Sequence, residues 1–208
     1  MSVHPGNNNT SLVTADKRDQ LRTYIESYSP LRETTWKRVQ SLFVLQTLEK
    51  NDFFTREGEP AKNIAFLEKG VVRAFYSKDN GEEYNKMLFT APSLIGGYAS
   101  LITGKKALVS QQALTACTIR IADFRQLAAL YDTCHDLERF SRKWAEALFV
   151  EKEEREIELV SLNATQRYIN FRKAFAEVEQ LVPQYHIASY LGVSATQLSR
   201  IRRKMTGG

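Results

Sequence analysis

The chain has 208 residues, 43% of them hydrophobic and 25% charged, and 29 Lys and Arg against 24 Asp and Glu give it a formal net charge of +5. That is apolar material for one large domain or two smaller ones, while no run approaches the ~18 apolar residues that span a bilayer. Two cysteines, Cys117 and Cys134, are too few for a disulfide framework and read as buried or incidental thiols, and His4, His135 and His186 lack a second ligand at metal spacing, so no metal site or cofactor is expected.

Residues 1–13 hold Pro5, Gly6 and the run Asn7-Asn8-Asn9, which predicts a disordered lead-in. This end lacks the basic stretch and apolar core of a secretory signal, so a cytoplasmic location is expected. A helix is predicted over 16–28, where Leu21, Tyr24, Ile25 and Tyr28 share a face, and Ser29-Pro30 ends it. A second helix over 31–42 sets Trp36, Val39 and Phe43 in one stripe. From 44 to 121 the texture changes to short β-prone runs: 44–48, 52–55, 63–68, 70–77, 83–89, 93–95, 109–113 and 117–121. Turn signals divide them, among them Arg56-Glu57-Gly58-Glu59-Pro60 and Asn80-Gly81, the latter predicting a type I′ hairpin. Many short strands argue a β-barrel or jelly roll.

The helical period returns after Asp123. A short segment over 124–131 precedes Leu137, Phe140, Trp144 and Leu148, which fit one long amphipathic helix running to about Leu162. Its middle, Glu151 to Glu158, reads EKEEREIE and is predicted to be exposed. An apolar strip beside a charged middle suits a helix that packs on its own barrel and on a twin, so a homodimer is expected. A further helix over 164–181, with Tyr168, Ile169, Phe171 and Phe175 apolar, leads to Pro183. The division is thus a lead-in over 1–13, a barrel domain with flanking helices over 14–133, a dimerisation helix over 134–162 and a terminal helical domain over 163–208, an α+β chain.

The terminal stretch PQYHIASYLGVSATQLSRIRRKM, 183–205, reads as a helix-turn-helix. Ala188, Gly192, Leu198 and Ile201 fall in the pattern A-x3-G-x5-L-x2-I, in which the small Ala admits a second helix and Gly takes the turn's positive φ. Ser194 and Gln197 have the spacing of a capping box, so a new helix begins just after Ser194. With Leu198 and Ile201 inward, Thr196, Gln197, Arg200, Arg203 and Lys204 project outward, and such side chains pair with base edges and phosphates. No Asp or Glu follows Glu179, while Arg200, Arg202, Arg203 and Lys204 are all cationic. His186, in the first helix, reads as a surface or phosphate-proximal residue.

A β-barrel, a long helix and a C-terminal helix-turn-helix, in that order, resemble the Crp/Fnr family of transcription regulators. The resemblance rests on Lys69-Gly70-Val71-Val72-Arg73, on Ser93-Leu94-Ile95-Gly96-Gly97, on Ala113-Leu114-Thr115-Ala116-Cys117 with Phe124-Arg125-Gln126-Leu127, and on the helix-turn-helix itself. It implies a cyclic-nucleotide-binding-like barrel and a homodimer on double-stranded DNA at a pseudo-palindromic operator, with RNA polymerase as a further partner and no membrane. It carries base reading onto Ala195, Thr196 and Arg200. With the helix-face residues, the DNA-contacting set becomes Ser194, Ala195, Thr196, Gln197, Arg200, Arg203 and Lys204.

Cyclic-nucleotide-binding members of the family have a Glu soon after Ile-Gly and an Arg-Ser/Thr-Ala further on. Gly97 stands at the first position and Ala107-Leu108-Val109 near the second, and no Asp or Glu occurs from Tyr84 to Ala122. Response to cAMP is therefore not expected, and an unidentified small effector would meet Gly96, Gly97, Tyr98, Lys105 and Lys106. Residues 1–50 hold no cysteine for the iron–sulfur cluster of oxygen-sensing relatives, and no haem ligand is evident. The family's β-hairpin wing is not evident after Met205. The leading expectation is a sequence-specific DNA-binding regulator; the alternative is a ligand-binding or interaction module whose helical tail contacts a protein. No nucleophile–base set, metal set or phosphate loop argues for an enzyme.

Overall fold

The computed structural model describes residues 19–206, so the lead-in expected over 1–13 lies outside the described residues. Eight strands form two antiparallel four-stranded sheets. One runs in the order β1-β8-β3-β6, with β1 Val44–Leu48, β3 Asn63–Lys69, β6 Ser93–Ile95 and β8 Cys117–Asp123. The other runs β2-β7-β4-β5, with β2 Phe53–Thr55, β4 Val71–Ser77, β5 Glu83–Thr90 and β7 Ser110–Ala113. Alternation along β3 shows why the two sheets carry helices as well as each other. Ala65 and Leu67 face Val72, Ile95, Ala113 and Ile119 in the inter-sheet core, whereas Ile64 and Phe66 face Leu21, Trp36, Val39, Leu137 and Phe140 from the helices.

The turn joining β3 to β4 needs glycine. Gly70 has φ +104°, and a Cβ there would stand 2.5 Å from Cys117 Sγ. The Asn80-Gly81 hairpin forms between β4 and β5, but not as a type I′ turn. Gly81 takes φ +82° while Asn80 stays at negative φ, its Oδ1 accepting from Glu82 N–H at 3.0 Å. Gly81 N–H bonds the Lys78 carbonyl at 2.9 Å, which gives a type I turn closed by a left-handed glycine.

Helices α1 Gln20–Tyr28 and α2 Glu33–Leu42 cover the first sheet, and Asp19 caps α1 by accepting from Leu21 and Arg22 N–H. Sequence alone missed α3, Tyr98–Thr103, whose six residues are too few to show a period. α4 Phe124–Ala128 leads to α5 His135–Ser161, a helix of 27 residues. The helix expected over 164–181 is broken into α6 Ala164–Ala174 and α7 Val178–Leu181. Phe175 leaves helical geometry at φ −131°, and its ring packs 5.3 Å from Phe171 and 5.7 Å from Tyr190. Aromatic packing there outweighs local helix propensity. Ile169, expected in the apolar stripe, is exposed.

The charged middle of α5 is not uniformly exposed either. Arg155 turns back, paired with Glu158 at 2.5 Å, stacked 4.0 Å from the Tyr190 ring and donating to the Tyr190 carbonyl. Opposite that face, Phe149, Val150, Ile157 and Val160 stand exposed, Val160 at 87%.

Candidate DNA-binding surface and barrel cavity

α8 Gln184–Leu191 and α9 Ala195–Thr206 form the helix-turn-helix. Ile187, Ala188, Leu191, Leu198 and Ile201 bury together with Tyr168, Phe171, Val178 and Val182, so the crossed pair closes on α6 and α7. Gly192 ends α8 at φ +67°, and Val193 N–H donates to the Ala188 carbonyl at 3.0 Å, satisfying the helix end. Ser194 Oγ accepts from Gln197 N–H at 3.1 Å and starts α9. Burial of Leu198 and Ile201 fixes the opposite face outward. Ser194, Ala195, Thr196, Gln197, Arg200, Arg203 and Lys204 are all exposed.

Arg202, which adds to the same positive run in the sequence, has a different task. It is half-buried with its Nε 3.2 Å from Glu179, a carboxylate that also meets Arg172 at 3.5 Å and accepts from the Tyr168 hydroxyl. Arg202 therefore ties α9 to α6 and α7.

His186 is 6% exposed, which corrects the surface reading. It lies where α8 docks on the second sheet, in a polar cluster absent from the sequence reading. Arg73 Nη1 reaches Glu83 at 2.5 Å, Asn85 Oδ1 at 3.3 Å and His186 Nδ1 at 3.3 Å, while its Nη2 donates to Gln112 Oε1 at 2.7 Å. Asn85 Nδ2 donates to the His186 carbonyl at 2.9 Å, and Ser189 Oγ accepts from Asn85 N–H and donates to the Glu83 carbonyl. A guanidinium only donates, so Nδ1 is the acceptor and the imidazole carries its proton on Nε2. Burial, then the Arg73 charge, pushes the His186 pKa down to about 4. One signal for this cluster was available. Arg73 interrupts the apolar run Val71-Val72-Arg73-Ala74-Phe75, and a charge in a buried strand needs partners.

A cavity of about 130 Å³ lies between the sandwich, α3 and α5. Gly96, Gly97 and Tyr98 line it with Met87, Leu94 and Trp144, but Lys105 and Lys106 do not: both are exposed on the loop beyond α3. The cationic groups at the cavity are Lys86 of β5 and Lys152 of α5. Among the described residues no Asp, Glu or Arg lines it. At Gly97 a Cβ would stand 3.1 Å from the Ala61 methyl, so the backbone leaves little room for the longer acid side chain of cyclic-nucleotide-binding relatives. Ala107 is buried at the other diagnostic position. Neither position thus offers a carboxylate or a guanidinium to the cavity. Among the described residues no group of His, Cys, Asp and Glu is arranged to hold a metal.

A two-sheet sandwich joined by one long helix to a helix-turn-helix is a defined architecture, and the comparisons find it in other proteins. Residues 45–134 match the family model of the cyclic nucleotide-binding domain. No curated protein matches the chain. The global regulator CLP of Xanthomonas campestris, described as c-di-GMP responsive, superposes with TM-score 0.66 at 16% identity over 85% of this chain and 92% of that one. FixK2 of Bradyrhizobium japonicum gives TM-score 0.66 at 16% identity over 79% and 86%. A protein of Eubacterium rectale described as a Crp/Fnr family transcriptional regulator gives 0.67 at 14% over 85% and 84%. Residues 45–134 thus resemble a cyclic nucleotide-binding domain, and the chain shares its overall fold with these solved structures. No helix among the described residues is long and apolar enough to cross a membrane.

Proposed function

We propose that the protein is a sequence-specific DNA-binding transcription regulator that acts as a homodimer without a cyclic nucleotide. The carrying observation is the outward face of α9, where Thr196, Gln197, Arg200 and Lys204 are exposed because Leu198 and Ile201 are locked into the core. Arg200 forks onto guanine, Thr196 and Gln197 reach base edges, and Arg203 and Lys204 lie toward the phosphates. The chain pairs with its twin along Phe149, Val150, Ile157 and Val160, whose spacing keeps one apolar seam along α5. Two such helices present two α9 readers to a pseudo-palindromic operator, and RNA polymerase is the partner through which the bound dimer acts.

The experiment is fluorescence anisotropy of the full chain against the duplex upstream of its own gene and a scrambled duplex, at two salt concentrations, with and without cAMP. Tighter binding to the upstream duplex, weakened by salt and unchanged by cAMP, supports the reading. A requirement for cAMP defeats the cyclic-nucleotide-independent part. Equal affinity for both duplexes defeats the sequence-specific part.

A further inference from the structure

The cavity between segment 96–111 and α5 has a wall made mainly of apolar side chains, with Gln111 held in it by an Nε2 donation to the Gly96 carbonyl at 3.1 Å. Such a wall suits a ligand with an apolar body.

Charge points the same way. Lys86 and Lys152 approach the cavity from β5 and α5, and neither has an ion-pair partner among the described residues. Burial, then the nearness of Lys86, lowers the Lys152 pKa, as two ammonium groups facing one space require. Glu151 and Glu156 act on Lys152 from its own helix but do not line the cavity. The rest of the wall is mainly apolar, with Leu94, Val109, Trp144 and Leu148 prominent beside Tyr98, Ser100 and Gln111.

Size selects among anions. At about 130 Å³ the space is close to that of an engineered apolar cavity that accepts benzene. A ring-sized body therefore fits it.

We propose that this cavity is a binding site for a small amphipathic carboxylate, with a ring-sized apolar body and one carboxylate for Lys86 and Lys152. The apolar body lies against Trp144 and Leu148, so occupancy is felt directly by α5.

Titration calorimetry of the full chain tests this, with Trp fluorescence as a second readout because Trp144 is in the wall. The probes are benzoate, benzyl alcohol and cAMP, all without DNA. Benzoate binds saturably, and benzyl alcohol, which lacks the charge, binds about tenfold more weakly. The double variant Lys86→Met/Lys152→Met, at exposed and half-buried positions, keeps its thermal midpoint and loses about tenfold in benzoate affinity. Three results overturn the proposal: no saturable binding of benzoate, unchanged affinity in the double variant, or tighter binding of cAMP than of benzoate. Since no DNA is present, failure here leaves the DNA-binding reading intact, and failure of that reading leaves this one intact.

Discussion

Acidification should loosen the helix-turn-helix from the sandwich, and His186 sets the size of the effect. Its imidazole sits against the Arg73 guanidinium, with Asn85 completing the contact and Glu83 and Lys50 as the other charges acting on it. Burial and Arg73 hold the folded-state pKa at about 4, below the 6.5 of a free histidine. The unfolded chain therefore takes up a proton that the folded chain refuses. Stability from the neutral ring is fully present above pH 6.5 and is lost as pH falls toward 4. At pH 5 the unfolded state is favoured by about 2 kcal/mol relative to pH 7.5, since each unit of pKa difference is worth about 1.4 kcal/mol. The assay is urea unfolding followed by Trp fluorescence at pH 7.5, 6.5 and 5 for wild type and His186→Gln, whose amide oxygen can still accept from Arg73. Wild type should lose about 2 kcal/mol more than the variant over that interval. Equal losses would refute a neutral, buried His186.

Gly70→Ala places a methyl 2.5 Å from Cys117 Sγ at φ +104°, and should cost about 3 kcal/mol and lower Tm by about 10 °C in calorimetry. Ile157→Glu/Val160→Glu puts charge on the exposed seam of α5, and sedimentation should then find a monomer whose operator affinity is at least about 100-fold weaker. Arg200→Ala should weaken specific binding by about 1–3 kcal/mol in anisotropy while leaving affinity for a scrambled duplex nearly unchanged. Arg202→Ala, by contrast, should lower thermal stability, because its partner Glu179 already anchors Arg172 and Tyr168.

Local rules made much of the fold legible. All eight expected strands exist, with ends within about two residues, because Gly, Pro and Asn-Gly signals mark their turns regardless of tertiary contacts. The long helix and both helices of the helix-turn-helix were equally readable, since their apolar spacing is long or tightly patterned. What escaped depends on packing between distant segments. Phe175 breaks a locally acceptable helix to reach Tyr190. Arg155 leaves a charged run to cover the same ring. His186 is buried because Arg73 and Asn85, over 100 residues earlier, provide its partners. The cavity shows the same limit. Gly96, Gly97 and Tyr98 could be picked out along one stretch of chain, whereas Lys86, Gln111 and Lys152 converge from three elements.

The central claim is that two copies of α9 read DNA together. Selection of bound duplexes from a randomised pool, followed by sequencing, tests it most directly. The account predicts enrichment of two inverted half-sites with centres about one helical turn apart, about 34 Å, and loss of the preference at one position of each half-site with Arg200→Ala. Enrichment of a single unrepeated motif, or of none, would contradict it.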